Sequence, residues 1–473
     1  MTTAWIVLIT IACYFALLFI ISWITGRKAD NAGFFTGNRK SSVFMATFAM
    51  IGAAISGVTF ISVPGSVGLS SFSYLQMVLG FIVGSVVIAY LLIPLYYKHN
   101  VTSLYEYLDR RFGVRSHRSG AWLFLASKLS GTALKTFVAC VVIQQLLCSH
   151  LGIPFWATVT IFMMLVWLYT FRGGVGSVVW IDAVKTICMT VCLLLAIYFV
   201  QNSLCNNIAE LAVTASDRGY TKLLFTEDWN DPRHFAKMFL AGVFMIVAMT
   251  GLDQDMMQRA LSSRSQHAAQ RNIILASLLQ AVIIALLLFL GALLHLYLAR
   301  EGLAVAKADE TFAFVATREG VPVIISVLLV LGVMAATFSS TAGAITSLTT
   351  SLSVDILQDR RLNHKWVHAA IAVVTALLVL AFAQWSNEST INLVYQVASY
   401  TYGPLLGMFA FGIFSKRRVR DRFVPLVVIA APLICLLLDH NSKSWLGGYE
   451  FGFEIVLLNA ALTIGGLYCI SRK

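Results

Sequence analysis

The segment MIGAAISGVTFISVPG, residues 50–65, is the most informative run in the chain. It lies within an apolar stretch near 44–67 and has no ionisable side chain. Even so, Gly52, Ala53, Ala54, Ser56 and Gly57 crowd small residues into less than two helical turns, and Thr59, Pro64 and Gly65 follow. Such a run lets a helix unwind or be closely approached. Unwound backbone at membrane depth is tolerated only where it lines a cavity or is buried in protein. Two readings are open: freed carbonyls facing an ion, or a seam of small residues packing helix against helix.

The rest of the chain supplies the membrane. Hydrophobic residues are 59% of the 473 and charged residues only 12%, against roughly 25% charged in a soluble domain. That composition excludes a soluble globule, and eight prolines among long apolar runs exclude a disordered or collagen-like chain. Apolar segments fall near 4–25, 44–67, 73–97, 120–149, 154–171, 177–203, 233–259, 270–299, 321–353, 364–385, 389–415, 421–439 and 450–470. Each is about long enough to cross a bilayer, which predicts an all-α integral membrane fold of about 13 transmembrane helices. Residues 4–25 have no basic residue before them and Arg27 and Lys28 directly after, the pattern of a retained span and not of a cleaved signal peptide.

The net charge of +12 reports orientation. With the N-terminus outside and the C-terminus inside, the inner loops hold roughly 23 Lys and Arg and the outer loops roughly seven, as the positive-inside rule requires. The excess therefore implies no nucleic-acid partner. The expected location is a cell membrane crossed many times, the bacterial inner membrane. Lys128, Lys135, Lys185 and Lys237 remain within spans.

Catalytic signatures are missing. Most of the nine histidines sit at span ends, with no HExxH or Cys/His metal pattern. Of the eight cysteines, Cys148 and Cys205 lie near the outer face, and whether they pair stays open. No catalytic residue and no catalytic metal is expected.

Two further segments carry chemistry. The ninth span ends in Thr337, Ser339, Ser340, Thr341, Thr346, Ser347, Thr349, Thr350 and Ser351. Ala336, Ser339 and Ser340 share one helix face at i, i+3 and i+4. Most such hydroxyls back-bond to their own helix. Two on one face opposite exposed carbonyls, however, suit a monovalent hard cation such as Na+. The sixth span opens with Tyr169, Thr170, Gly173, Gly174, Trp180, Ile181 and Asp182, and Lys185 follows one turn later. An intramembrane carboxylate is a functional candidate by default. Asp182 either pairs structurally with Lys185 or tunes a nearby cation site.

Together these motifs resemble the sodium:solute symporter family. The resemblance rests on the Tyr169-Thr170-x-x-Gly173-Gly174 turn leading to Trp180-x-Asp182, the glycine-rich second span, Asp253, Gln254 and Gln258-Arg259, and Ala336-x-x-Ser339-Ser340. It extends from Gly33-Phe34-Phe35 to Gly412-Ile413-Phe414-Ser415-Lys416. It implies a single transporter domain of LeuT-type fold: an extra N-terminal helix at 4–25, a five-helix repeat at 41–203, an inverted second repeat at 233–415, and two extra C-terminal helices at 421–470. Sites lie at the repeat interface near the midplane.

It also implies the coupling ion. Na+ would take backbone oxygens from Gly52, Ile55 and Ala336 and hydroxyl oxygens from Ser339 and Ser340, with Asp182 and Lys185 nearby. Serines that build a second Na+ site in some relatives correspond here to Ala342 and Gly343, which argues for one Na+ per cycle. One charge crossing ~100 mV releases ~2.3 kcal/mol, and a tenfold Na+ gradient adds ~1.4 kcal/mol. That drives a neutral solute strongly but leaves only the chemical gradient for a monoanion.

The solute candidates are less uniform. Positions that hold sugar hydroxyls in relatives are here Val58, Val78, Ile246 and Gln280, a poor polyol site. Ser56 and Thr59 match positions that grip a carboxylate in a sialic-acid carrier. Lys135, about 22 Å along its helix from Gly120, is too deep to snorkel easily; it either pairs internally or binds a substrate carboxylate. Lys128 is shallower, and snorkelling is its default. The family's carboxylate-binding arginine falls near Gly131. Tyr74, Tyr395, Tyr400 and Tyr402 are gate candidates. The expectation is a monomeric Na+ symporter importing a small solute, with a carboxylate such as sialic acid or a monocarboxylate as the candidate. The alternatives are a neutral-solute symporter and a proton-coupled carrier using Asp182. A membrane enzyme or receptor is disfavoured by short loops.

Overall fold

The computed structural model describes residues 2–26, 43–99, 103–170, 175–204, 207–261, 263–357, 364–385 and 390–472. The main helices are α1 (Thr2–Gly26), α2 (Val43–Ala54), α3 (Gly57–Ser70), α4 (Tyr74–Val87), α5 (Val114–Ile143), α6 (Phe155–Thr170), α7 (Val175–Ser203) and α8 (Phe235–Ile246). They continue with α9 (Gln254–Leu261), α10 (Gln266–Arg300), α11 (Val323–Ser351), α12 (His364–Trp385), α13 (Thr390–Phe414), α14 (Val424–Trp445) and α15 (Ile455–Cys469). Among the described residues the only strands form a two-residue antiparallel ladder, Arg418 opposite Arg472 and Val419 opposite Ser471.

Among the described residues, eight helices are long and apolar enough to cross a bilayer, or up to ten if each of two bent pairs counts as one span. Three shorter apolar helices lie at Leu8–Leu17, Phe155–Leu168 and Ile455–Cys469. Their outward faces are greasy. Leu426, Ile429, Leu433 and Leu437 are exposed along one stripe of α14, and Trp156, Ile161, Met164 and Leu168 along α6. In water such stripes would mark interfaces; on these helices they are the surface that meets lipid.

The two bent pairs organise the interior. α2 and α3 meet at 61°, and α8, extended to Gly251, meets α9 at 72°. The first break follows from residues 52–57. Ile55 still donates to Ile51 O at 2.8 Å, but Ser56 is extended (φ −104°, ψ 172°), and its N–H turns to Thr59 Oγ1 at 3.4 Å. In a continuous helix that N–H would bond Gly52 O. The new helix restarts with Phe60 N donating to Ser56 O at 3.1 Å, so the carbonyls of Gly52 and Ile55 both lose their helical donors. The structure shows this run both unwound and closely approached. A Cβ on Gly52 would lie 2.3 Å from Thr186 Oγ1 of α7.

The second break differs from the continuous 233–259 span expected from hydropathy. A π-helical turn, Val247–Gly251, loosens the end of α8, and Leu252 and Asp253 separate it from α9. Tyr96 and Tyr105 donate to the freed carbonyls of Gly251 and Leu252 at 2.8 and 3.1 Å, which makes the break tolerable away from water.

α13 shows the same accounting. Pro404 has no N–H, so Tyr400 O loses its i+4 donor; the fully buried Asn459 of α15 supplies one at 2.9 Å and reaches Ser399 O at 3.2 Å.

Candidate functional site

The breaks and α4, α5, α10, α11 and α13 line a central cavity of about 90 Å³. Phe81, Met245, Ile246, Met249, Met256 and Val394 form an apolar wall, and Thr132, Lys135, Thr250, Gln280, Ser340 and Tyr395 contribute polar groups. The methionines give that wall adaptable packing. A larger cavity of about 460 Å³ lies beyond it, lined by Ser66, Ser70, Tyr74, Arg233, Asn392 and Gln396 among others. Tyr74 borders the larger cavity and Tyr395 borders both α13 and the central one, and their hydroxyls meet at 2.6 Å. This pair is the partition between the two chambers.

Charged side chains also line the central cavity. Lys128 Nζ lies 2.9 and 3.1 Å from the two carboxylate oxygens of Asp253 and 3.4 Å from Asp255. Tyr402 donates to Asp253 at 2.9 Å, and the Met256 N–H does so at 3.1 Å. Asp255 in turn meets Arg259 at 3.2 Å, Arg259 meets Asp182 at 3.3 Å, and Asp182 meets Lys185 at 4.0 Å. Lys185 also lies 5.0 Å from the Phe338 ring centroid. This relay joins α5, α7, α9 and α13 through side chains almost wholly buried. Buried charges persist only when paired, and here each of three carboxylates faces at least one cation.

Two sequence readings change. Lys128 does not snorkel to the surface, because Asp253 and Asp255 hold it. Arg259, counted among the inner-loop charges, is only 2% exposed, because the 72° turn carries α9 back under the bundle. The signal was present in the Asp255/Arg259 spacing of i, i+4 immediately after an apolar run.

The candidate residues fall into groups. Gly52 and Ile55 lie at the first break, which packs directly against α11: a Cβ on Gly57 would strike Thr337 Oγ1. Thr337 Oγ1 is buried with no hydrogen-bond partner among the described residues. Ala336 is buried beside it, and Ser340 donates to Thr337 O at 3.0 Å while lining the central cavity. The Ser339 side chain lies outside the described residues, as do Gly173, Gly174 and Cys205. Lys135, Ile246, Gln280 and Tyr395 line the central cavity. Val78 is buried away from its wall, and Ser56 and Thr59 turn their hydroxyls toward each other at 3.5 Å. Tyr400 donates to Asp439 at 2.5 Å on the side of the larger cavity. Lys135 makes no hydrogen bond or ion pair with any described residue.

A cavity between two broken membrane helices, bordered on one side by a tyrosine pair and on another by an ion-pair relay, is the arrangement of a secondary carrier. The chain belongs to the sodium:solute symporter family, whose model matches residues 34–421. It is a multi-pass membrane Na+-coupled symporter and not an enzyme. Among similar proteins, the sodium/sialic acid symporter SiaT of Proteus mirabilis is 21% identical over 85% of this chain and 83% of its own length. The sodium-coupled monocarboxylate transporter 2 of Mus musculus is 23% identical over 84% of this chain and 67% of its own. A solved structure of a substrate-bound, outward-open Na+-coupled sialic acid symporter superposes with a TM-score of 0.84 at 19% identity, covering 99% of both chains. That agreement places the fold among LeuT-type carriers.

Proposed function

We propose that this carrier imports a small monocarboxylate together with one Na+. The observation that supports it best is Lys135, an ammonium on the wall of the central cavity with no ion-pair partner among the described residues. The surrounding wall of Phe81, Met245, Ile246 and Val394 suits a short apolar tail. The cavity is small, about 90 Å³, and its lining offers a polyol only Gln280 and scattered hydroxyls.

Na+ is assigned to the seam between the first break and α11. The carbonyls of Gly52 and Ile55 lack helical donors there, and the carbonyl of Ala336 and the hydroxyls of Ser339 and Ser340 complete the oxygen set. Oxygen donors without a net negative charge fit a monovalent cation. A single ion is favoured because Asp182 is already engaged by Arg259 and Lys185. Gly343 makes room for that guanidinium, since a Cβ would sit 2.3 Å from Arg259 Nη2. The same pairing disfavours Asp182 as a proton carrier.

The reading extends to topology: thirteen spans, the N-terminus outside, with the bent pairs opening the two inverted repeats at 41–203 and 233–415. The ten long or broken spans and the three shorter apolar helices together make up that number.

The deciding experiment is uptake into proteoliposomes, with and without Na+, of short monocarboxylates, a sialic acid and neutral sugars. Na+-dependent uptake of a short carboxylate, lost in Lys135→Met, is expected. Sugar uptake unaffected by that substitution refutes the carboxylate reading.

A further inference from the structure

Four cations, Lys128, Lys135, Lys185 and Arg259, stand around the cavity and relay against three carboxylates, Asp182, Asp253 and Asp255. The three carboxylates are consumed by Lys128, Arg259 and Lys185. Lys135 therefore contributes one uncompensated positive charge to a cavity whose wall also includes Ala53, Ala54 and Ser340, the residues flanking the Na+ seam. A cation in that seam and the Lys135 ammonium border the same small cavity between buried helices, where like charges repel more than in water.

We infer that Lys135 is a coupling residue: its ammonium opposes closure of the carrier around Na+ alone, so that Na+ crosses only when an anionic solute has neutralised the lysine. The inference rests on the proposed Na+ seam and extends it from what is bound to what is forbidden. With Na+ alone the closing chamber holds two positive charges. With Na+ and a monoanion it holds one, the same as the empty carrier, so the loaded and empty forms close against equal electrostatic resistance. Lys135 guards against Na+ slip specifically. The solute-only form carries no excess charge and must be restrained by the unfilled carbonyls of Gly52 and Ile55.

The test uses no solute. Radiolabelled Na+ uptake into proteoliposomes is measured for the unmodified protein, Lys135→Met, Lys135→Gln and Lys135→Arg, each first shown to bind Na+ by a Na+-dependent rise in melting temperature. Solute-free Na+ uptake is expected to rise at least tenfold in Lys135→Met and Lys135→Gln, the factor that about 1.4 kcal/mol of repulsion withholds, and to stay at the unmodified level in Lys135→Arg. A Na+-binding Lys135→Met or Lys135→Gln protein with no more leak than the unmodified one overturns the inference. The outcomes separate the two claims. Leak with carboxylate uptake retained keeps the coupling role and removes the carboxylate-binding one. Lost uptake without leak does the reverse.

Discussion

The ion pairs lining the cavity can be tested by removing Lys128 and then its main partner. Lys128 Nζ has three carboxylate oxygens within 3.4 Å, belonging to Asp253 and Asp255. At an effective dielectric of about 20, one unit-charge pair near 3 Å is worth about 5–6 kcal/mol of Coulomb energy, most of it offset by desolvation of both ions. What survives in the intact protein is small. Truncating one partner is different, because Asp253 is 3% exposed and would be left without its ammonium; such orphaned buried charges cost about 3–5 kcal/mol. The lysine side chain is 16% exposed, so water can partly replace it, and the lower end, about 3 kcal/mol, applies to Lys128→Met. In Lys128→Met with Asp253→Asn, the amide oxygen can still accept from the Met256 N–H and the amide NH2 can donate to the Tyr402 hydroxyl, and most of the loss should return. The assay is thermal unfolding of purified protein in detergent by tryptophan fluorescence. The single variant should melt earlier and the double variant close to the original. Equal destabilisation of the single and double variants would show that the pair does not carry the stability assigned to it.

Ser340→Ala should raise the Na+ concentration for half-maximal uptake about tenfold, the equivalent of losing about 1.4 kcal/mol from one oxygen ligand; unchanged Na+ dependence removes Ser340 from the seam. Tyr74→Phe loses a hydrogen bond worth about 0.5–1.5 kcal/mol, so a Val394→Cys thiol should react severalfold faster with an impermeant reagent added from outside. Asn459→Leu strips Tyr400 O of the donor that stands in for Pro404 and should cost about 1–3 kcal/mol, read as an earlier melt. In the loop before α8 the hydrogen bond from Arg233 holds the Asp231 carboxyl below its usual range. A depressed carboxylate stabilises above its unfolded value of 3.8 and loses that contribution only as pH falls further, so loop protection from protease should persist from pH 8 to 5 and vanish at neutral pH in Asp231→Asn.

How much was legible in the chain depends on where each signal resides. The first break was readable because Gly52 to Gly57 concentrate small residues in one place, and the α11 side of the seam because hydroxyls are dense in an apolar helix. The second break was not, since Gly251 is a single small residue in a run whose average hydropathy stays high. Its consequence, that Arg259 turns inward, was hidden with it. The relay was hidden for another reason. Lys128, Asp182 and Tyr402 come from three helices and Asp253 from the second break, and hydropathy says nothing about which helices face one another. Lys135 was singled out by depth alone; that it lacks an ion partner depends on Asp253 and Asp255 choosing Lys128.

The break at Ile55–Ser56 has an electrical consequence of its own. A helix end carries the equivalent of about half an elementary charge, negative at the C-terminus and positive at the N-terminus. Residues 50–65 contain nothing that can ionise, yet ending α2 and starting α3 there places two opposite helix-dipole poles in the middle of the protein. The negative pole belongs to the end that exposes Gly52 O and Ile55 O, where a cation is proposed. No side-chain substitution can neutralise it, so charge-changing mutagenesis will miss this source of potential, and only changes that heal or shift the break will reveal it.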